Sequence, residues 1–147
     1  MSRIATVLRI LLGLGFTVFG LNYFLEFLPA QGAPPAEAGA FLGAFAGSKF
    51  LTLVKAIEVG AGVLLLANRF VPLALTLLAP ILVGMVFFHA RLAPGGIGPA
   101  LGFMLIEIAL AWFYREAFTP MLRAKVSPAA ASAPAPLSAA ASARSAS

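Results

Sequence analysis

Cysteine is absent from this 147-residue sequence, and histidine occurs once, at position 89. The lack of cysteine excludes thiolate catalysis, disulfide exchange and cysteine-ligated metals. A single histidine cannot supply the paired ligands of a haem or dinuclear metal site, and the methionines are scattered. The glycines lie within predicted helices and turns, so we predict no phosphate-binding loop. The sequence therefore carries no self-contained catalytic motif, and any function must depend on a few polar residues.

Charge is also scarce, since Lys and Arg number 10, Asp and Glu number 5, and together they make up 10% of the chain. A nucleic-acid site needs basic residues clustered on one exposed face. Here they flank apolar segments instead, which is the positive-inside pattern of membrane proteins. With the N-terminus inside, the inner side holds Arg3, Arg9, Arg69, Arg115, Arg123, Lys125 and Arg144, and the outer side holds Lys49 and Arg91. The pattern predicts an N-in/C-in topology and excludes nucleic acid as a partner.

In place of charge, the sequence has four long apolar runs, at about residues 4–28, 50–67, 70–90 and 97–115, and a mean hydropathy of +1.00. A helix needs about 20 apolar residues to cross a bilayer core roughly 30 Å thick. We therefore predict an all-α integral membrane protein whose residues 1–118 form a four-transmembrane-helix bundle in the lipid bilayer. Residues 119–147 are rich in Ala, Ser and Pro and are predicted to form a disordered cytoplasmic tail.

The connections refine this prediction. Phe41 and Phe45 lie one helical turn apart in segment 37–46, which indicates either a short amphipathic helix on the outer face or an ordinary loop. The short link at Asn68 and Arg69 makes the second and third spans antiparallel neighbours. Small-residue stripes, at Gly13, Thr17 and Gly20 and at Gly98 and Gly102, are typical of close helix packing.

The third span contains Pro80 near its middle. Proline in a helix interior removes a backbone hydrogen bond and kinks the helix. Thr76 and Gly84, four residues to either side, are predicted to share its face. A purely structural kink is the ordinary interpretation, because prolines are common in membrane helices.

Lys55, Glu58 and Glu107 are the charged residues that lie well inside the predicted spans, away from their ends and from the flanking arginines. Charged residues in spans usually face the bundle interior. Counted from the outer ends at 1.5 Å per residue, Glu58 lies about 12 Å deep and Glu107 about 15 Å. Lys55 and Glu58 share a helical face, so they form either a mutually neutralised ion pair or the wall of a pocket. We expect Glu107 to be protonated or paired across the bundle with Lys55, His89 or Arg91.

Asn22 and His89 also lie in the outer half of the predicted bundle, while the inner half is almost wholly apolar. This asymmetry indicates a polar pocket that opens to the outside. A lone histidine near a helix end is more often a hydrogen-bonded structural residue than a ligand, and both interpretations of His89 stay open here.

Several short segments, taken in order, resemble the DoxX family: residues 20–24 (GLNYF), Glu58, residues 68–74 (NRFVPLA), residues 79–81 (API) and residues 88–89 (FH). The resemblance covers about residues 4–118. It implies a small four-helix protein of the bacterial plasma (inner) membrane, some of whose relatives are subunits of quinone-linked redox complexes. The family pattern marks Asn22, Glu58, Pro80 and His89. Gly84 departs from it, because relatives have Asn there.

The resemblance and the one-sided polar cluster together predict a quinone-associated subunit that needs a membrane or soluble redox partner. In this hypothesis Glu58 and Glu107 handle protons, whereas Asn22, Lys55 and His89 contact a quinone that is not covalently bound. Two alternatives remain. One is a scaffold or assembly protein, which could form homo-oligomers through its small-residue stripes. The other is a small-solute or proton transporter, which the apolar inner half and the lack of an inverted repeat disfavour.

Overall fold

The computed structural model describes residues 3–29 and 32–125, which form helices and turns without any strand. The helices are α1 (Arg3–Leu25), α2 (Ala36–Gly47), α3 (Phe50–Leu66), α4 (Val71–Arg91), α5 (Ile97–Phe113) and α6 (Arg115–Phe118), with 3₁₀ turns at Pro94–Gly96 and Thr119–Leu122. Within these ranges, three helical segments are long and apolar enough to cross a membrane: Arg3–Leu25, Val71–Arg91 and Pro94–Phe113. The prediction of an all-helical chain is therefore confirmed for the described residues, and three of its helical segments have the length and composition of membrane spans.

The four long helices form a ring in the order α1, α3, α4, α5, so each helix packs against two neighbours. The helices α1 and α3 are antiparallel, since Tyr23 near the end of α1 bonds Thr52 near the start of α3, with 3.0 Å between their hydroxyl oxygens. The connections from α3 to α4 and from α4 to α5 are short, so these pairs are antiparallel as well. The start of α1, the α3–α4 turn and the end of α5 consequently share one end of the bundle.

The interior of the ring is filled by apolar side chains at helical spacing. On α1 the buried positions recur every three or four residues, which makes one stripe along the helix. The core cluster consists of Leu12, Phe16, Ala61, Leu65, Val71, Ala74, Leu75, Leu78, Leu82 and Leu110. The opposite faces of the helices expose large apolar residues, as expected where lipid is the solvent.

The first helix ends three residues before the predicted boundary at residue 28. Glu26 adopts a left-handed backbone conformation with φ of 49°, which stops the helix after Leu25. Asn22 holds this end in place, because its Oδ1 accepts a hydrogen bond of 2.7 Å from the backbone N–H of Leu28.

Segment 37–46 is helical, so the helix rather than the ordinary loop is the correct interpretation. Its two phenylalanines, Phe41 and Phe45, stack with ring centroids 5.5 Å apart. Phe41 also packs on Phe88 of α4, and Phe45 packs on Phe50 of α3. Through these contacts α2 covers the groove between α3 and α4. It lies at the end of the bundle where α3 begins and α4 ends.

The predicted tail began at residue 119, but Thr119–Leu122 forms a 3₁₀ turn. The prediction of disorder falls mostly on residues 126–147, which lie outside the described residues.

Candidate functional site

The α1–α3 interface depends on glycines that let the two backbones touch. A side-chain carbon at Gly62 would lie 2.8 Å from the backbone nitrogen of Thr17 and 3.0 Å from the carbonyl oxygen of Gly13. A side-chain carbon at Gly20 would lie 3.5 Å from Cβ of Glu58. The close packing predicted from the small-residue stripe of α1 is therefore confirmed, and it holds the segment of α3 around Glu58 tightly against α1.

Lys55 and Glu58 form an ion pair on α3, with 2.7 Å between Nζ and Oε2. The two side chains differ in environment, since that of Lys55 is 22% exposed and that of Glu58 only 3%. The predicted pair is confirmed. Because Lys55 lies one turn closer to the N-terminal end of α3, it connects the buried carboxyl group with the surface.

Glu58 lies on the wall of a cavity of about 650 Å³ between α2, α3 and α4. Its lining comprises Phe41, Leu42, Phe45, Phe50, Leu51, Val54, Ile57, Glu58, Thr76, Leu77, Pro80, Ile81, Gly84, Met85, Phe87, Phe88 and Leu92. Among the described residues on this wall, Glu58 alone is charged, and Thr76 is the one other residue with a polar side chain. A cavity of this size, mostly apolar and with few polar groups, is typical of a small-molecule site.

The α4 wall of the cavity is built around its internal proline. Thr76, Pro80 and Gly84 all line the cavity, so the prediction that they share a face is confirmed. The Thr76 hydroxyl donates a hydrogen bond of 2.8 Å to the carbonyl oxygen of Pro72. No atom lies within 4 Å of the position that a Gly84 side chain would take. The space next to Pro80 is thus open.

Glu107 lies apart from this cavity. It is 5% exposed, it faces the bundle interior between Ala100 and Leu110 on the buried stripe of α5, and it does not contribute to the cavity wall. Its buried Oε2 has no hydrogen-bond partner within residues 3–29 and 32–125. In this part of the chain no ion pair joins it to Lys55, His89 or Arg91. The structure therefore brings Lys55 to Glu58 but does not bring Glu107 to either.

Asn22 and His89, which were also predicted to contact a ligand, form hydrogen bonds at the C-terminal ends of α1 and α4 in this structure. Asn22 closes the end of α1 through its bond to the Leu28 N–H. His89 lies at the end of α4, where its Nδ1 is 3.0 Å from the carbonyl oxygen of Ala93. Its ring fills the space that a side chain at Gly96 would need. Neither Asn22 nor His89 lines the cavity.

Arg9 is a buried polar residue that the sequence interpretation missed. It was assigned to the inner flank of the first span, yet it is only 6% exposed. Its guanidinium donates hydrogen bonds to the carbonyl oxygens of Leu65 and Leu66 at the C-terminal end of α3. The half of the bundle that contains the start of α1, which we predicted to be almost wholly apolar, therefore holds a buried charged side chain. The helical spacing of the sequence could have predicted this burial, because Arg9 lies on the same face of α1 as Ala5, Leu12 and Phe16.

No cluster of three or more His, Cys, Asp or Glu side chains suited to a metal ion occurs in the described part of the chain. Comparison with known family models, curated proteins and solved structures finds no match. The resemblance to the DoxX family stays a prediction from the sequence, and the site must be interpreted from its own geometry.

Proposed function

We propose that this protein is a four-span, DoxX-type protein of the bacterial plasma membrane and a quinone-associated subunit of a redox complex. The proposed fourth span is α3, whose 17 residues extend about 25 Å at 1.5 Å per residue. Its position in the ring between α1 and α4 supports this assignment. The N-in/C-in orientation is supported by Arg3, Arg69 and Arg115, which belong to one end of the bundle.

The observation that carries this proposal is the cavity around Glu58. A quinone is a flat ring with polar substituents and an apolar tail, so its site needs an apolar slot with a few polar groups at one place. The cavity offers five phenylalanine side chains and a salt-bridged glutamate in about 650 Å³. Pockets for small molecules commonly have volumes of about 300–1,000 Å³.

The location of the cavity suits a ligand that is dissolved in the membrane. Its described lining comes from α2, α3, α4 and the residue after α4, with no contribution from α1 or α5. The cavity is therefore on the perimeter of the ring, where Phe87 is 68% exposed. A quinone would enter sideways from the lipid, beneath α2. Since we predict no redox centre in this chain, a partner protein would have to supply or remove the electrons.

The test is the thermal stability of the purified protein in mild detergent, with and without a short-chain quinone in its oxidised and reduced forms. A ligand that binds only the folded state adds about 2.7 kcal/mol at 100 times its Kd. We expect at least one form to stabilise the protein. Gly84→Leu should abolish the shift by filling the cavity, whereas Gly60→Leu should keep it. Both glycines have open space at their side-chain position, but only Gly84 lines the cavity.

Failure of both quinone forms to stabilise the protein would refute the proposal. Equal shifts in the Gly84→Leu and Gly60→Leu variants would show that any quinone binds elsewhere.

A second candidate function, a membrane scaffold that associates through α5, is favoured by one observation. Gly98 and Gly102 have no atom within 4 Å of their side-chain positions, so this small-residue pair has no packing role within the described chain. Such pairs allow close contact between membrane helices. Loss of homo-oligomers or of a co-purifying partner in Gly98→Leu, but not in Gly60→Leu, would support the scaffold, and unchanged recovery in both would exclude it.

A further inference from the structure

The two polar side chains that the described residues contribute to the cavity wall, Glu58 and Thr76, share one chemical property: both accept hydrogen bonds. Glu58 is paired with the ammonium group of Lys55, and an ionised carboxylate has acceptor atoms alone. The hydroxyl hydrogen of Thr76 is engaged by the carbonyl oxygen of Pro72 at 2.8 Å. What the Thr76 hydroxyl still offers to a ligand is its oxygen lone pairs.

A third acceptor arises from Pro80. In an α-helix the backbone N–H of residue 80 would donate to the carbonyl oxygen of residue 76, four positions earlier. Proline has no N–H, so the Thr76 carbonyl loses that donor. Helical carbonyls point along the axis toward the residue four positions later, and both Thr76 and Pro80 line the cavity. The freed carbonyl oxygen thus lies between two residues of the cavity wall.

These acceptors discriminate between the two redox forms of a quinone. The oxidised ring carries carbonyl oxygens and can only accept hydrogen bonds, whereas the reduced ring carries two hydroxyl groups that donate them. An acceptor that a bound ligand covers without donating to it stays unsatisfied and costs free energy, and a site built for a donor rejects an analogue without one. On the basis of the proposed quinone function, we infer that this cavity selects the reduced, dihydroxy form of the ring.

The experiment compares three ligands that carry the same short alkyl chain: a hydroquinone, the corresponding quinone, and the dimethyl ether of the hydroquinone. The ether keeps the reduced ring but has no donor, so it separates hydrogen bonding from ring shape. Binding is measured anaerobically on the purified full-length protein in detergent by calorimetry. We expect the hydroquinone to bind about tenfold tighter than either of the other two.

Two substitutions test the source of the selectivity. Pro80→Ala returns an N–H to the Thr76 carbonyl, so we expect the preference for the hydroquinone to fall several-fold. Pro72→Ala is the matched control, because Pro72 is in the first turn of α4, where a missing N–H costs nothing. Glu58→Gln adds an amide donor to the wall and should improve binding of the oxidised form relative to the reduced form.

Equal affinity for the quinone and the hydroquinone would overturn this inference and leave the proposed quinone function intact. Equal affinity for the hydroquinone and its dimethyl ether would overturn it as well, because donors would then play no role. An unchanged preference for the hydroquinone in Pro80→Ala would overturn the role inferred for the Thr76 carbonyl oxygen. Absence of binding by all three ligands would refute the proposed function itself, and this inference with it.

Discussion

The guanidinium group of Arg9 in α1 donates a hydrogen bond to the carbonyl oxygen of Leu65 at the C-terminal end of α3. Its Nη1 also lies 3.2 Å from the carbonyl oxygen of Leu66. The last carbonyl groups of a helix have no donor within that helix, and a cation is favoured there by the helix dipole. Arg9 thus ties the start of the first long helix to the end of its antiparallel neighbour, inside the bundle.

Replacing Arg9 with Met should lower the free energy of unfolding by about 1–3 kcal/mol, because the Leu66 carbonyl oxygen would lose the Arg9 donor and the Leu65 carbonyl oxygen would keep only the backbone N–H of Asn68. Chemical unfolding in mild detergent measures the effect. Arg3→Met is the matched control, since Arg3 is exposed at the same end of α1 and its loss should change stability by less than about 0.5 kcal/mol. If the two variants are equally stable, Arg9 does not have the structural role assigned to it.

The glycines of α3 should respond in opposite directions to the same substitution. At Gly62, alanine would place a carbon 2.8 Å from the backbone of Thr17, so we expect destabilisation of about 1–3 kcal/mol or more. At Gly60 there is open space, and alanine should stabilise the helix by about 0.5–1 kcal/mol. Thermal unfolding of both variants tests this, and tolerance of Gly62→Ala would contradict the close contact of α1 with α3.

The ion pair on α3 should show coupling in a double-mutant cycle. Lys55→Met leaves the buried Glu58 carboxylate without its partner, which should cost about 1–3 kcal/mol. Adding Glu58→Gln removes that charge, so the double variant should recover part of the lost stability. Unfolding free energies of the wild type, both single variants and the double variant give the coupling. Strictly additive effects would mean that the pair contributes nothing to stability.

Glu107 should behave differently from Glu58. Its buried Oε2 has no partner in the described part of the chain, so Glu107→Met should raise the free energy of unfolding by about 1–3 kcal/mol. Ligand binding at the cavity should be unchanged, because Glu107 does not line it. Loss of stability or of binding would contradict this. Reduced turnover of a partner complex in Glu107→Gln would support the proton handling predicted from the sequence.

The sequence predicts the helices well because the length of each apolar run and the helix-ending residues between the runs determine them. Pro29, Asn68 and the Pro94 turn each fall close to a helix boundary in the structure. The errors at the ends have local causes, such as the left-handed conformation of Glu26 that shortens α1. Helical spacing also predicts contacts within one helix, which is why the Lys55–Glu58 pair could be inferred without coordinates.

The site is less predictable because it depends on contacts between helices. Depth along a span gave Glu58 and Glu107 similar positions, but it did not specify which neighbour each faces. The ring order of the helices decides this, and it puts only Glu58 on the cavity wall. The same reasoning assigned Arg9 to the membrane boundary from its position near the start of the span. Its burial follows from the packing of α1 against α3.

Photoaffinity labelling with an azido-quinone in native membranes, followed by peptide mapping, locates a bound ring directly. We predict labelling of the cavity segments of α2, α3 and α4, with competition by excess unlabelled quinone and loss in Gly84→Leu. The exposed side of α5, where Leu105 is 66% exposed, provides the background for non-specific labelling. Labelling confined to α1 or α5, or labelling of the cavity that unlabelled quinone does not reduce, would contradict a quinone site at Glu58.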